Sequence, residues 1–531
     1  MKAMKRLERL FEKGNITRRE FMGGMAALGV SLTTASLLAN KAQAATPKKG
    51  GILKVGTSDG STTDALNPAT LNQEMPMQIS YGQLRNSLVE WGPDSSAIPE
   101  LAESWDVTPD AKKWTFKLRK GIEFHNGKTM DVEDVIYSIN FHRKEESKSV
   151  INALVKPITE IKADGKHAVV ITLDSGNVFF PYVLGSARAQ IVPKGSTVAD
   201  FEKGIGTGPY ILEHWEPGVR ALVRRNPNFW KPGGSNFDEV ETLVINDVNS
   251  RTSALKTGQI HIMNRVDLRT AHLLEKAPGL QLITASGGTN VDMPMRADTA
   301  PFNDNNVRLA IKQSIDREHM AKSIFHGYAE LGNDHSVHSA SKYHAKGLPQ
   351  RQYDPEKAKF YLKKAGLSKL NVQLHASDSA FTGAVDAAIL SKEYAKKAGI
   401  EIEVVRTPDD GYWSHTWMKK PWCMSYWGGR PTPDAIFSVR FTSDAPYNDC
   451  FWYHDRFDKL VVSARKELDE SRRIEMYAEM QEILNMEGGP VIPLFKWQVD
   501  AATTKIKTPP LVGGQFGLDY FRYADRWWFE S

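Results

Sequence analysis

Gly204-Ile205-Gly206-Thr207-Gly208-Pro209 is the stretch that divides this chain. Three glycines and a proline in six residues make a chain reversal and interrupt any helix or long strand. Before it, residues from about 86 to 204 hold enough regular structure for a lobe of their own. Trp114-Thr115-Phe116-Lys117-Leu118 alternates apolar and polar, as a half-buried strand does, and His167 to Leu173 alternates again. Asp131 is placed to cap a helix with Val135, Ile136 and Ile139 on one face. After it, strands are predicted at Tyr210-Ile211-Leu212, Ala221-Leu222-Val223 and Glu241-Thr242-Leu243-Val244-Ile245. A helix from Asn249 to Lys256 follows, with Gly258 where a left-handed cap residue belongs. The glycine stretch therefore reads as a crossing between lobes. Its glycine spacing is a degenerate form of a dinucleotide loop, but Pro209 and the strand behind it exclude the helix such a loop must open.

Outward from there, Gly51-Ile52-Leu53-Lys54-Val55 reads as a first strand, and a further region opens at Pro301. Asp304 is a candidate helix N-cap, and Asp354-Pro355-Glu356 combines a cap, a first-turn proline and an acid at the positive end of the helix dipole. Val372-Gln373-Leu374, a helix from about 383 to 398, and Ile400-Glu401-Ile402-Glu403-Val404 form a strand–helix–strand crossover. Its two strands should be parallel. A last long helix is predicted from Ser471 to Met486, and the aromatic end at Trp527-Trp528-Phe529 should pack on the first lobe. The fold class is α/β with mixed sheets.

The N-terminus carries Thr17-Arg18-Arg19-Glu20-Phe21-Met22, an apolar run from Met22 to Leu38, and Ala42-Gln43-Ala44. A charged region, a short apolar core and a small-residue cleavage site make an export signal of twin-arginine type, cut after Ala44. Glycine, serine and threonine dilute the run, which argues against a retained anchor. Residues 1–44 also hold the chain's entire formal charge of +5, and the remainder carries 60 basic and 60 acidic groups. Nucleic acid and acidic membrane surfaces are therefore poor partners for the mature chain of about 487 residues. That length exceeds one core, so two or three lobes are expected. Cys423 and Cys450 are too few for a disulfide framework; export permits a bridge between them, and burial as small hydrophobes is the plainer reading.

Several motifs bear on chemistry. Gly56-Thr57-Ser58-Asp59-Gly60 matches the nucleophile elbow of α/β-hydrolases, but the Asn67-Pro68 turn signal stands where a helix is needed. A polar loop at a strand end remains, able to touch a ligand. His326, His335, His338 and His344 fall in one Ser/Gly/Asn-rich stretch. They are expected as exposed loop histidines, with metal ligation as the lesser alternative. No nucleophile–base pairing or metal triad supports an enzyme, and no cofactor is expected. The segment Trp422-Cys423-Met424-Ser425-Tyr426-Trp427-Gly428-Gly429-Arg430-Pro431 stands apart. Glycines at a strand end admit a ligand closely, Arg430 offers a planar fork for a carboxylate, and Trp413 and Trp417 supply aromatic walls. The bland alternative is a surface turn in which Arg430 pairs with Asp434 or Asp449.

Over nearly all its mature length the chain resembles the extracellular solute-binding proteins, family 5, of peptide, nickel and opine ABC importers. The matching blocks are Leu101-Ala102-Glu103-Ser104-Trp105, Trp114 to Gly121, Phe124-His125-Asn126-Gly127, Asp134-Val135, Gly206-Thr207-Gly208-Pro209-Tyr210, Arg225-Asn226-Pro227-Asn228-Phe229-Trp230, Val307-Arg308-Leu309-Ala310 and Ile315-Asp316-Arg317. The resemblance implies a bilobed periplasmic-binding-protein fold of type II with an extra domain, and a hinge between lobes that closes on ligand. The implied divisions are a signal at 1–44, lobe I at 45–85, 205–295 and 499–531, the extra domain at 86–204, and lobe III at 296–498. It also implies a monomeric periplasmic receptor that passes its solute to an ABC transporter permease.

One departure matters. In peptide-binding members of the family, a strand ending in Trp and two small residues is followed by Asp, which holds the peptide's ammonium. Here Trp427-Gly428-Gly429 is followed by Arg430. Like charges about 4 Å apart repel by roughly 4 kcal/mol at an effective dielectric of 20, about a thousandfold in affinity. The expected ligand is therefore a small carboxylate-bearing solute, an opine-like conjugate or modified peptide. Arg430 would be its clamp, Trp413, Tyr426 and Trp427 its walls, and Asp59 and Asn290 further polar contacts. The alternatives are an ordinary di- or oligopeptide, which could lie reversed with its C-terminus at Arg430, and, behind it, a nickel or other metal chelate.

Overall fold

The computed structural model describes residues 49–530 apart from 146. The export signal lies outside the described residues, among which no helix is long and apolar enough to cross a membrane. The architecture is α/β with several sheets. A nine-stranded mixed sheet runs in the order Ser425–Trp427, Leu280–Pro294, Pro490–Thr503, Ile262–Met263, Ile52–Thr57, Glu239–Val244, Arg220–Arg225, Tyr210–Glu216, with Ala329–Leu331 added on Pro490–Thr503. Ile52–Thr57 is parallel to both its neighbours, and the other pairings are antiparallel. A separate four-stranded antiparallel sheet joins Ala102–Val107, Lys113–Leu118, Ala168–Leu173 and Ile158–Ala163. The helix Val132–Arg143 is capped by Asp131, whose carboxylate accepts from the amides of Glu133 and Asp134. Leu370–Ala376 and Ile400–Arg406 pair in parallel around Ala384–Lys396, as their spacing predicts.

The glycine stretch lies where two passages of chain run side by side. Gly208 donates to the carbonyl of Leu84 at 2.9 Å, and a Cβ at Gly206 would stand 2.1 Å from that same oxygen. Only glycine allows backbones so close. Fully buried Arg85 fastens the junction, donating to the carbonyls of Ile205 (3.1 Å), Leu66 (2.7 Å) and Phe201 (2.6 Å). Burial lowers its pKa to about 10, so it remains a cation at neutral pH.

Two long strands carry the large sheet past its midpoint. Leu280–Pro294 pairs with Pro490–Thr503 from Leu280↔Thr503 to Pro294↔Pro490, and the register slips between Ser286 and Thr289. Gly287 and Gly288 fill the slip, Gly288 at a φ of +63°. On one side of it Leu53, Val55, Val223, Ala502 and Trp527 share a core. On the other, Val291, Leu374 and Leu494 belong to a second, and Trp427, Phe437 and Phe495 to a third. The four-stranded sheet has its own core, with Trp114, Phe116 and Ile171. Phe179 leaves that body to pack on Tyr343 and Tyr477, at ring-centre distances of 5.8 and 6.0 Å.

The C-terminal segment contains a left-handed turn. Leu518, Asp519, Tyr520 and Phe521 all have φ between 53° and 64°, a conformation that costs an L-residue about 1–2 kcal/mol each. Side chains hold it in place. Asp500 Oδ2 accepts from the Leu518 amide at 2.6 Å, Asp519 Oδ1 accepts from the Gly513 amide at 2.7 Å, and Tyr520 stacks on Trp91 at 4.9 Å.

Candidate functional site

Ser425–Trp427 pairs with the far half of Leu280–Pro294, Asn290 facing Trp427 and Val291 facing Tyr426. The strand ends there because Gly428 and Gly429 turn away beneath the slip at Gly287-Gly288. A Cβ at Gly429 would lie 2.3 Å from the Gly287 carbonyl oxygen and 2.8 Å from Gln515 Oε1. This packing delivers Arg430 to the junction of three segments. Gln515 Nε2 donates to the Arg430 carbonyl at 3.3 Å and to Ser95 Oγ at 3.1 Å.

Arg430 is exposed to solvent, yet desolvation by surrounding protein pushes its pKa down. Its Nη1 reaches only the Gly429 carbonyl, at 3.4 Å, and no ion pair to it occurs among the described residues. The surface-turn reading is not what the geometry places here. Asp434 pairs with Arg465 at 3.0 Å, and Asp449 with Arg440 at 3.0 Å.

The aromatic residues form one connected wall. Trp413 meets Tyr426 at 5.7 Å and Trp417 at 5.8 Å, Trp417 meets Trp427 at 6.2 Å, and Tyr447 stacks on Trp417 at 5.9 Å. Trp413 and Tyr426 are 39 % and 45 % exposed, whereas Trp427 is buried. The indoles of Trp427 and Trp417 both donate to Asp449 Oδ2, at 3.0 and 3.3 Å. Behind them Arg440, fully buried, pairs with Asp449 and, at 2.6 Å, with Asp292, and lies over the Trp427 ring at 5.1 Å. One guanidinium between two carboxylates cannot neutralise both, and burial raises the pKa of Asp292. This anchor is absent from the sequence reading; the nearest signal was Asp449, close to the tryptophans in a chain region rich in aromatics.

Asn290 is brought to the site's strand but turned from solvent. It is buried, and its amide nitrogen donates to Asp292 Oδ2 at 2.9 Å, which makes it part of the anchor. Asp59, in the left-handed region at φ 62°, forms a different corner. Its carboxylate accepts from the Glu74 amide at 3.3 Å and lies 3.8 Å from Arg265, which also pairs with Glu74 at 2.7 Å. Lys496 sits near this corner. It is exposed at its surface, and burial followed by the charge of Arg265 lowers its pKa while Glu74 opposes. Thr289 links the two corners, paired with Lys496 on one side and accepting from the Gly429 amide at 3.4 Å on the other.

Three expectations are corrected or resolved. The histidines are not all exposed: His335 and His338 are buried, because their loop folds under the sheet edge beside Gly288 and Phe495. Burial holds His335 at a pKa of about 3, so it is neutral, and no group of metal-ligating side chains occurs among the described residues. Cys423 and Cys450 are both free and buried. Ser58, in the elbow-like motif, is buried against Asn264, and the next helix begins only at Glu74.

Known proteins share this architecture. The family model described as bacterial extracellular solute-binding proteins, family 5 Middle, matches residues 96–449. Di/tripeptide-binding protein 1 of Pseudomonas aeruginosa is 25 % identical over 504 residues, covering 86 % of this chain and 91 % of that one. The glutathione-binding protein GsiB of Shigella flexneri is 25 % identical over 517 residues, covering 92 % and 96 %. The solved structure of AgaA from A. tumefaciens R10 in complex with agropinic acid superposes with a TM-score of 0.71 at 22 % identity, over 91 % of this chain and 99 % of that one. The fold is that of the periplasmic binding proteins, and the chain belongs to family 5 of the bacterial extracellular solute-binding proteins, the peptide, nickel and opine receptors of ABC importers.

Proposed function

We propose that the protein is an exported receptor that closes around a small carboxylate-bearing solute and delivers it to an ABC permease. One observation carries the reading. Arg430 ends the aromatic strand with its guanidinium unpaired, while each nearby acid suited to neutralise it is engaged elsewhere. A carboxylate there gains a charge-assisted bond worth about 1.5–3 kcal/mol, and an ammonium is repelled. Trp413 and Tyr426 supply exposed aromatic surface for the rest of the solute, and Trp427 backs them from the buried side. Asp59 offers a carboxylate for a ligand amine at the other corner. An opine-like conjugate or modified peptide fits this arrangement, and relatives named for glutathione and for di- and tripeptides lie within the same class of solute.

The test is calorimetric titration of an opine and peptide panel, each compound with its carboxylates free and amidated, against wild type and Arg430→Ala. Amidating the recognised carboxylate should weaken wild-type binding about tenfold to a hundredfold and leave the variant's binding unchanged. Peptides that bind equally well to both proteins through a free ammonium would overturn the ligand assignment.

A further inference from the structure

The corner around Asp59 is built by two loops that leave neighbouring parallel strands. Ile52–Thr57 and Ile262–Met263 run side by side, Gly56 facing Met263, and both end here. In open α/β sheets ligands bind beyond the carboxyl ends of parallel strands. The loops are tied together. The Ser58 amide donates to Asn264 Oδ1 at 2.9 Å, and the Asn264 side-chain nitrogen donates to Glu74 Oε2. Each loop then holds its next residue left-handed, Asp59 at φ 62° and Arg265 at φ 50°. Strained backbone of this kind collects at ligand clamps.

Arg265 is engaged on one edge. Its Nε and Nη2 donate to Glu74 Oε1 at 2.9 and 2.7 Å, and Glu74 is buried. Asp59 lies farther off, 3.8 Å from Nη2, and accepts one long bond from the Glu74 amide at 3.3 Å. Arg265 Nη1 and Asp59 Oδ1 have no partner among the described residues, and the two side chains are 53 % and 37 % exposed. Glu74 therefore fixes the guanidinium, and the corner offers solvent a spare donor edge beside a spare carboxylate oxygen. A lone carboxylate here is repelled by Asp59, and a lone ammonium by Arg265. A group with both charges on adjacent atoms pairs with both. We propose that Asp59 and Arg265 form a subsite for an α-amino-acid head, its ammonium on Asp59 and its α-carboxylate on Arg265. This rests on the reading of Asp59 as a ligand contact, and it excludes solutes whose α-carboxylate is locked in a peptide bond. The transported solute is then an amino acid joined to its other part through its side chain or by N-alkylation, and that other part carries the carboxylate for Arg430.

Calorimetric titration of the exported chain with γ-glutamylglycine and α-glutamylglycine tests this. The two isomers carry the same charges and differ in whether the α-carboxylate is free. Wild type should prefer the γ isomer by about tenfold or more. Arg265→Gln should bring that preference near unity, and Asp59→Asn should erase the preference for γ-glutamylglycine over its N-acetyl form. Thermal melting checks that each variant folds. Arg265→Gln strips buried Glu74 of its partner, so the double variant Arg265→Gln, Glu74→Gln repeats the measurement without a stranded charge. Equal affinity of wild type for the two isomers, as a purely structural ion cluster gives, overturns the inference. So does a preference kept by both Arg265 variants, or no binding of either isomer at millimolar concentration. If the isomer preference holds while Arg430→Ala leaves the γ-glutamylglycine affinity unchanged, the Arg430 clamp falls and the zwitterion subsite stands.

Discussion

Replacing Asp500 with asparagine should flatten the protein's stability against pH. Asp500 is fully buried, and burial, with some help from Glu74, raises its pKa from 3.8 to about 7. A carboxyl whose pKa is raised by folding contributes fully when protonated in both states, below about pH 3.8, and its contribution is lost as pH rises through about 7. At about 1.4 kcal/mol per pH unit, and with the loss levelling off above the folded pKa, roughly 3 kcal/mol of wild-type stability disappears between pH 5 and pH 8. Asparagine does not ionise, so this loss is absent from the variant. Asp500 Oδ2 accepts from Leu518 and Oδ1 from Arg265, at 2.6 and 3.2 Å, and the amide forfeits one of these acceptors. That adds a constant cost of about 1–3 kcal/mol at every pH. Urea unfolding followed by tryptophan fluorescence at pH 5 and pH 8 measures the difference, because Trp527 lies in the core next to the Asp500 strand. The gap between the two proteins should move by about 3 kcal/mol in favour of the variant as pH rises. Parallel profiles, within about 1 kcal/mol, would refute the assignment of a raised pKa to this carboxyl.

Two further outcomes test the junction of the lobes. Gly429→Ala places a methyl 2.3 Å from the Gly287 carbonyl oxygen, so the variant should be more expanded in small-angle scattering and bind its solute at least about tenfold more weakly; unchanged dimensions and affinity would contradict the close packing. Phe179→Ala removes the ring packed against the touching pair Tyr343 and Tyr477, so amide exchange should quicken in those segments while the strand holding Trp114 stays protected; equal protection in both would deny Phe179 a part in joining the bodies.

Local signals are legible in the sequence. Asp131, Asp304 and Asp354 each cap the helix that their position announces, because capping is decided within four residues. The parallel pair around Ala384–Lys396 was legible because its strands alternate and its connection has crossover length. Long-range partnership was not. Leu280–Pro294 and Pro490–Thr503 are separated by some two hundred residues, and neither advertises the other. Asn290 reads as an exposed polar residue until Asp292 and Arg440 are seen around it. His335 and His338 sit among small polar residues that suggest solvent, and only the fold buries them and brings Phe495 against His338. Arg430 was legible as a charge out of place, but its isolation follows from ion pairs that Asp434 and Asp449 make with Arg465 and Arg440.

The strand order of the large sheet imposes a sequence of events on biosynthesis. Ile52–Thr57 leaves the ribosome early, yet its partners on either side are Glu239–Val244 and Ile262–Met263, and Trp527 completes the core beneath it. The four-stranded sheet draws all its strands from residues 102–173 and can assemble while the rest is still being made. Ile52–Thr57 must instead wait for Trp527, exposing its apolar face while everything between them is made. A truncation that removes Trp527 therefore damages a strand synthesised long before it.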